Sequence, residues 1–449
     1  MASNPNTPPG ARRSPKNLTK LNRCPIVGRF AVVSHFNKKF DKLTKDSRFP
    51  RLAAFLPQNV LPWVWNYLKF AFTRKFRFPS YGQNGNRGVY RLLPSTPSAP
   101  IRIAIAGDWG TGTDEAYIIA TLMCHGQPGS MPDFTIHLGD IYYVGDEDEI
   151  NENCLGQPTS SYLGVKWPHG TQGSFALNAN HEMYANGRGY FTTFLPTLGI
   201  SGSPDGQRCS FFSLESDQWR ILGIDTGYNS VGIPILSQIP GLKEVPAIGG
   251  NCRLEDSLRR WLRDVVKPKE NLKATLLLSH HQYFTAFCDL AYTKPAKQLL
   301  EFFPNQELVW IWGHEHRLAI YDKYKMSGGI TAYGRCLGHG GMPVELTPPV
   351  HQEVPLLYYD QRPYKLLDGR QVGVNGFVNL SLSGRVLTLD YRDINNKSLI
   401  VEEFKHVGDG VLSHNFVKEP QPGLTPAKWT ALGGVGVLGS VLCRMTRMK

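Results

Sequence analysis

From residue 101 onward, short apolar runs alternate with amphipathic stretches. "IRIAIA" (101–106) and "FTIHL" (134–138) are continuous enough to read as strands buried on both faces. Residues 114–125 lie between them and carry helical spacing. "CSFFSLE" and "WRILGID" flank Ser216, Asp217 and Gln218, which predicts a hairpin. "LEDSLRRWLRDVV" (254–266) predicts a helix. "ATLLLSH" and "ELVWIWGH" predict two further strands, each running straight into a histidine. After residue 370, "GFVNLSL", "RVLTLDY" and "SLIVEEF" predict short strands separated by turns. There is no internal repeat. Strand, loop and helix in this order indicate an α/β class.

The two ends read differently. Residues 1–20 are polar and contain prolines, a composition that predicts disorder. Residues 61–78, "LPWVWNYLKFAFTRKFRF", interleave aromatic and basic side chains. Leu61, Trp65, Leu68 and Phe72 fall at helical spacing, so a helix is expected, either on a membrane surface or packed on the body. No recognised nucleic-acid-binding motif accompanies these aromatics, so specific nucleic-acid binding is not expected. Trp429–Cys443 is an uncharged run of 15 residues followed by Arg444, Arg447 and Lys449. A membrane-spanning helix needs about 20 apolar residues. The short, glycine-rich run leaves insertion and a self-packed tail both open.

Composition narrows the class. In 449 residues, 41% hydrophobic and 19% charged side chains describe a globular chain with a large core. Eight scattered cysteines without a C-x-x-C pair argue against a disulfide framework or a zinc ribbon. The Arg12–Arg13 pair is followed only by "FAVV" (30–33), too short for a signal-peptide core. The expectation is therefore a cytoplasmic protein, either free or associated with a membrane through its ends. Residues 1–90 hold 17 Lys/Arg against Asp41 and Asp46, a net +15 in a chain whose formal charge is +12. A basic leader thus precedes a slightly acidic body; such a leader either contacts nucleic acid or an anionic membrane surface, or is a solvated, partly ordered extension.

Five separated stretches end a strand and then present a group able to bind a metal. They are Asp108 in "AGDWG", Asp140 in "LGDIYY", Asn180 in "NANHE", His280 in "LLSHH", and His314 with His316 in "GHEH". Strand-end loops are where α/β folds collect functional groups. Oxygen and imidazole donors without thiolate suit iron, manganese or zinc. A carboxylate can bridge two cations, and such a pair clamps a phosphoryl group and activates water.

The order D-x-G, G-D-x-x-Y, N-H-E, H-H, G-H-x-H resembles the calcineurin-like metallophosphoesterases over residues 101–320. Its D-x-G and G-D-x-x-Y variants are similar to the purple acid phosphatases. In many members a histidine stands two residues after the first aspartate, where this chain has Gly110. The resemblance implies that Tyr143, three residues after Asp140, replaces that histidine, while Tyr142 packs elsewhere. It implies one metal held by Asp108, Asp140, Tyr143 and His316, and a second held by Asp140, Asn180, His280 and His314. It gives His181 the role of protonating the leaving oxygen or stabilising the transition state, with Glu182 orienting it and His281 a neighbour. Ala179 stands where the family usually has glycine, which requires a negative φ there.

Two stretches keep two readings each. The 36 residues between Tyr143 and Asn180 include the acidic run 146–149 and Trp167, and either border the site or form a solvated loop. The glycines and His339 of "GRCLGHGGMP" either approach a phosphate through backbone N–H groups or form an ordinary turn.

The resemblance implies a four-layer αββα sandwich, two mixed sheets flanked by helices, over residues 95–405. Residues 1–94 are then a basic, aromatic extension, and 406–449 a tail with a short apolar segment. The implied activity is a dinuclear phosphoester hydrolase using a metal-bound hydroxide, of phosphomonoesterase, purple acid phosphatase type. Its two ions would be Fe(III) with divalent Fe, Mn or Zn, and its partner a small phosphoester. A phosphodiesterase acting on a nucleotide or lipid head group is the alternative. A phosphatase-fold binding protein with a basic leader is the alternative of another class.

Overall fold

The computed structural model describes residues 67–420, apart from 71–72, 83–86, 97, 126–130, 160–161, 233–249, 288 and 366–369. The expectations for residues 1–66 and for the tail beyond 420 lie outside the described residues.

In chain order the first strands are β1 (Val89–Arg91), β2 (Ile101–Ala106), β3 (Phe134–His137), β4 (Gly173–Ala176), β5 (Gly199–Ile200) and β6 (Phe212–Glu215). Next come β7 (Trp219–Gly223), β8 (Ala274–Ser279), β9 (Glu307–Trp312), β10 (Leu318–Tyr324), β11 (Thr331–Leu337) and β12 (Leu356–Tyr359). The last are β13 (Tyr364–Lys365), β14 (Gln371–Val372), β15 (Gly376–Ser383), β16 (Val386–Asp393), β17 (Ser398–Gly408) and β18 (Val411–Lys418). One eight-stranded sheet runs β1-β6-β7-β8-β9-β11-β10-β12, and the other runs β18-β17-β16-β15-β2-β3-β4-β5. Both are mixed: β7, β8, β9 and β11 are parallel in one, and β2, β3 and β4 in the other. β1 and β18 fall outside 95–405, so the sandwich extends past those bounds at both ends.

The apolar runs are continuous because each strand buries both faces. Ile103 and Ile105 of β2 point into the core between the sheets, while Ala104 and Ala106 point outward to Ile119 and Met123 of α1 (Asp114–His125). Leu276, Leu278, Val309 and Ile311 join the inner core. Leu277, Leu308, Trp310 and Trp312 pack outward with Leu258, Trp261 and Leu299 from the helical segments 256–266 and 293–299. The four expected layers follow from this alternation. Each fully buried aliphatic side chain contributes about 1.5–3 kcal/mol.

One polar group interrupts the inner core. Arg335 of β11 meets Glu402 of β17 across the two sheets, Nε to Oε1 and Nη2 to Oε2, both at 2.6 Å. Both side chains are fully buried. Tyr391 and His414 supply further bonds to Glu402, at 2.5 and 2.7 Å. These bonds satisfy a charge pair that burial alone would disfavour.

The expected helix over 61–78 is described only at residues 67–70, and from residue 73 the chain is irregular. Leu68, assigned to its apolar stripe, is exposed, whereas Tyr67 is buried. The packed alternative fits what is described. Phe76 stacks on Phe191, Phe78 on Phe211, and Tyr81 meets Phe211 and Trp261. No helix among the described residues is long and apolar enough to cross a membrane.

Candidate metal centre

Parallel strands in both sheets end beside one another, and the residues just past their carboxyl ends meet. Asp108 follows β2, Asp140 follows β3, Asn180 follows β4, His280 follows β8 directly, and His314 follows β9. Asp108, Asp140 and His314 have φ of +54°, +71° and +66°. A left-handed backbone costs a residue with a side chain about 1–3 kcal/mol unless its surroundings hold it there. Here they do: Asp108 N–H donates to Gly139 O at 3.1 Å, and Asp108 O accepts from Met342 N–H at 3.1 Å. Asp108 Oδ2 accepts the His314 N–H at 2.9 Å.

The side chains converge with their acceptor atoms facing one another. His280 Nδ1–H donates to Leu138 O at 3.0 Å, which leaves the Nε2 lone pair pointing inward. That nitrogen lies 3.1 Å from Asn180 Oδ1, 3.2 Å from His314 Nδ1 and 3.3 Å from Asp140 Oδ1. On the other side, the Tyr142 hydroxyl lies 3.0 Å from Asp108 Oδ1, 2.8 Å from Asp140 Oδ2 and 3.1 Å from His316 Nε2. His316 Nε2 is 3.3 Å from Asp108 Oδ1. Ligand atoms of Asp108, Asp140 and His280 lie within 4.8 Å of one another, as do those of His280, His281 and His314.

Two buried carboxylates oppose one another in this cluster. Burial and the neighbouring Asp140 carboxylate push Asp108 well above the usual carboxylate range. Burial also opposes ionisation of Asp140, but His181, His280 and His314 outweigh it and hold that carboxyl low. Burial and the two carboxylates push the Tyr142 phenol well up. Burial lowers His280. Two opposed buried carboxylates among imidazole, amide and phenol groups are what a cation between them would relieve, and the donor set fits iron, manganese or zinc.

Residues 101–318 match the family model described as calcineurin-like phosphoesterase. They form a calcineurin-like phosphoesterase domain.

Among solved structures, the chain is similar to GAP50, the anchor in the inner membrane complex of Plasmodium, at 12% identity and a TM-score of 0.41, covering 76% of this chain and 95% of that one. A predicted phosphoesterase from Streptococcus pneumoniae is similar at 9% identity and a TM-score of 0.25, covering 71% of this chain and 98% of that one. Vacuolar protein sorting 29 from Cryptosporidium parvum is similar at 9% identity and a TM-score of 0.24, covering 72% and 99%. No curated protein sequence matches the chain.

Asp108, Asp140, Asn180, His280, His314 and His316 are brought together as the motif order implied. Tyr143 is not the tyrosine whose hydroxyl joins them; Tyr142 is. The reason lies in the backbone. Tyr142 N–H donates to Gly110 O at 2.9 Å and Gly110 bridges Ile141, so the strand-like pairing turns residue 142 inward. The Tyr143 ring packs beside Tyr67, Val144 and Tyr184, and burial pushes its phenol up to about 12.

His181 stands at the rim with its side chain 15% exposed, Nε2 3.8 Å from Asp140 Oδ2. Glu182 does not orient it. The His181 Nδ1 partner is the Tyr143 carbonyl at 2.5 Å, whereas both Glu182 carboxyl oxygens are buried without a hydrogen-bond partner. Burial and nearby Asp140 push Glu182 well up. His281 is adjacent, its Nδ1 3.0 Å from Thr226 Oγ1. Ala179 has φ −133°, so alanine fits where glycine was the family's usual choice.

The other two open stretches resolve into scaffold. Asp146 caps α2 (Glu147–Asn153), and Glu149 Oε2 accepts from the N–H groups of Val144 and Gly145, both at 2.8 Å. The acidic run is therefore a capped helix start, and Trp167 is buried against Trp109. In "GRCLGHGGMP", Gly340 N–H donates to Gly107 O at 2.9 Å and Met342 N–H to Asp108 O, so these amides brace the Asp108 turn. His339 is buried and burial lowers it to about 4.

Proposed function

We propose that the phosphoesterase domain hydrolyses phosphoesters with two bound metal ions, and that phosphomonoesters are its first substrates, in the manner of a purple acid phosphatase. The observation that carries this reading is the convergence of Asp140, Asn180, His280 and His314 acceptor atoms beside a second set from Asp108, Asp140, Tyr142 and His316. Those two sets would hold the ions, with Asp140 shared. Ferric iron suits the tyrosine side, and divalent iron, manganese or zinc the other. Bound there, the ions supply Lewis acidity that activates water near neutral pH and offsets phosphoryl charge.

The chain's own residues orient the reaction. The Tyr143 carbonyl accepts from His181 Nδ1–H, so Nε2 is the nitrogen left to carry a proton toward the leaving oxygen. That nitrogen lies 3.8 Å from Asp140 Oδ2, facing the metal centre. Tyr142 covers the carboxylate pair from one side, and the buried strands β2, β3, β8 and β9 exclude solvent from behind.

Metal analysis of the purified protein, with turnover of an aryl phosphate monoester and a bis-aryl diester, tests the reading. Two ions per chain and monoester turnover that Asp140→Asn abolishes are expected. Preference for the diester would move the substrate class to phosphodiesters. A wild-type chain that binds no metal and hydrolyses neither would be a binding protein on a phosphatase fold.

A further inference from the structure

An asparagine that ligates a metal must present oxygen and not nitrogen, so something outside the site has to accept from its NH2 end. In this chain that acceptor is Tyr184. Asn180 Nδ2 donates to Tyr184 Oη at 3.3 Å, one helical turn further along α3 (Asn180–Tyr184), and Oδ1 is thereby turned to His280 Nε2. The helix is five residues long, and Ala179 gives it no side-chain cap. A helix that short has little stability of its own and must be held by its neighbours.

The neighbours are in the segment that enters from the N-terminal leader. The Tyr184 ring lies between His181, at 5.0 Å, and Tyr67, at 5.5 Å with the planes at 89°. Just past the helix, Asn186 adopts φ +59°. Its side-chain amide reaches Phe70 O, Thr73 O and Thr73 Oγ1, each at 2.9 Å, and its carbonyl accepts from Phe76 N–H at 2.9 Å. Phe76 stacks on Phe191, and Lys75 lies over the Tyr228 ring at 3.7 Å.

We propose that Tyr184 is a positioning residue for Asn180, and that residues 67–70 and 73–76 hold Tyr184 and α3 in place, so that these residues set the occupancy of the metal position that Asn180 serves. The proposal rests on the two-metal reading above. It makes the entering segment part of the catalytic unit. It also predicts that disturbing the segment weakens one metal position and spares the other.

The experiment uses the full-length protein and manganese as the probe. Binding isotherms and electron paramagnetic resonance distinguish a coupled two-ion centre from a single ion. Wild type should bind two ions. Tyr184→Phe keeps the ring against Tyr67 and removes the acceptor; it should retain one ion and weaken the other by about 10–100-fold. Asn186→Ala should act in the same direction. In an Asn180→Asp background, both ends of the side chain are oxygens, so adding Tyr184→Phe should cause no further loss. Wild-type affinity for both ions in Tyr184→Phe would overturn the proposal. So would an equal loss of both ions with a lowered Tm, or an undiminished effect in the Asn180→Asp background. A wild type that binds no manganese, iron or zinc would instead refute the two-metal reading itself.

Discussion

Gly110 and Ile141 pair as a parallel β-bridge. A Cβ at residue 110 would come within 2.8 Å of Asp140 O and 2.9 Å of Ile141 Cα. The position where a relative places a metal-binding histidine is therefore filled by backbone, and the same pairing carries Tyr142 to the carboxylates.

A ferric ion beside a phenolate absorbs visible light. Iron-loaded, oxidised protein should be pink to violet, and Tyr142→Phe should remove the colour, while Tyr143→Phe leaves it. Visible absorption spectra of the three proteins check this. Colour lost only with Tyr143→Phe would restore the spacing expected from the motif.

Gly110→Ala should destabilise the domain by about 1–3 kcal/mol, because the neighbouring atoms belong to backbone and cannot yield as a side chain would. The displaced bridge should also weaken metal binding on the tyrosine side. Urea titration with and without metal measures both, and an unchanged midpoint would show that the bridge adapts freely.

His181→Ala should keep both metals and lower kcat by roughly 10²–10⁴. The loss should be smallest for esters with good leaving groups, which need no proton. Comparing aryl with alkyl phosphates checks this, and an equal loss for both would remove the proton-donor role.

The buried Arg335–Glu402 pair should show in acid. Burial opposes ionisation of Glu402, but Arg335 and His414 outweigh it and hold its carboxyl at about 2. Its folded value lies below its unfolded one, near 4.5. Its contribution is therefore complete above that unfolded value and is lost as the pH falls through the folded one, an effect on the order of 3 kcal/mol. Glu402→Gln should flatten stability between about pH 5 and pH 2. At neutral pH it should cost about 3–5 kcal/mol, since it leaves Arg335 buried without its counter-charge. Denaturant midpoints across pH read both effects.

The basic leader should give weak, salt-sensitive binding to anionic vesicles, given the +15 carried by residues 1–90. Removing residues 1–66 should reduce sedimentation with the vesicles at low salt. Full-length protein that stays in the supernatant there would end the membrane reading.

The strands were legible where burial on both faces leaves an uninterrupted apolar run, as in "IRIAIA" and "ATLLLS". They were not legible in β4, β10 and β12, where glycine, charge or a short length breaks the run. The aspartates and histidines could be read because each follows a strand that could itself be read. Tyr142 could not, because counting residues along a motif assumes a turn geometry, and here the Gly110–Ile141 bridge sets it. Glu182 looked like a partner for His181 by adjacency alone, yet successive residues on a helix point in different directions. Tyr184 carried no signal beyond its spacing from Asn180, since its role depends on a hydrogen bond that only the folded helix makes.

Asp108, Asp140 and His314, with their positive φ, carry an evolutionary consequence. Glycine at any of the three would ease the main chain and raise the melting point of the metal-free domain, while deleting a donor. Selection for thermostability alone would thus drift toward an inert protein. Laboratory evolution of this chain should screen for turnover at every round, because here the hardier variants and the active ones part company.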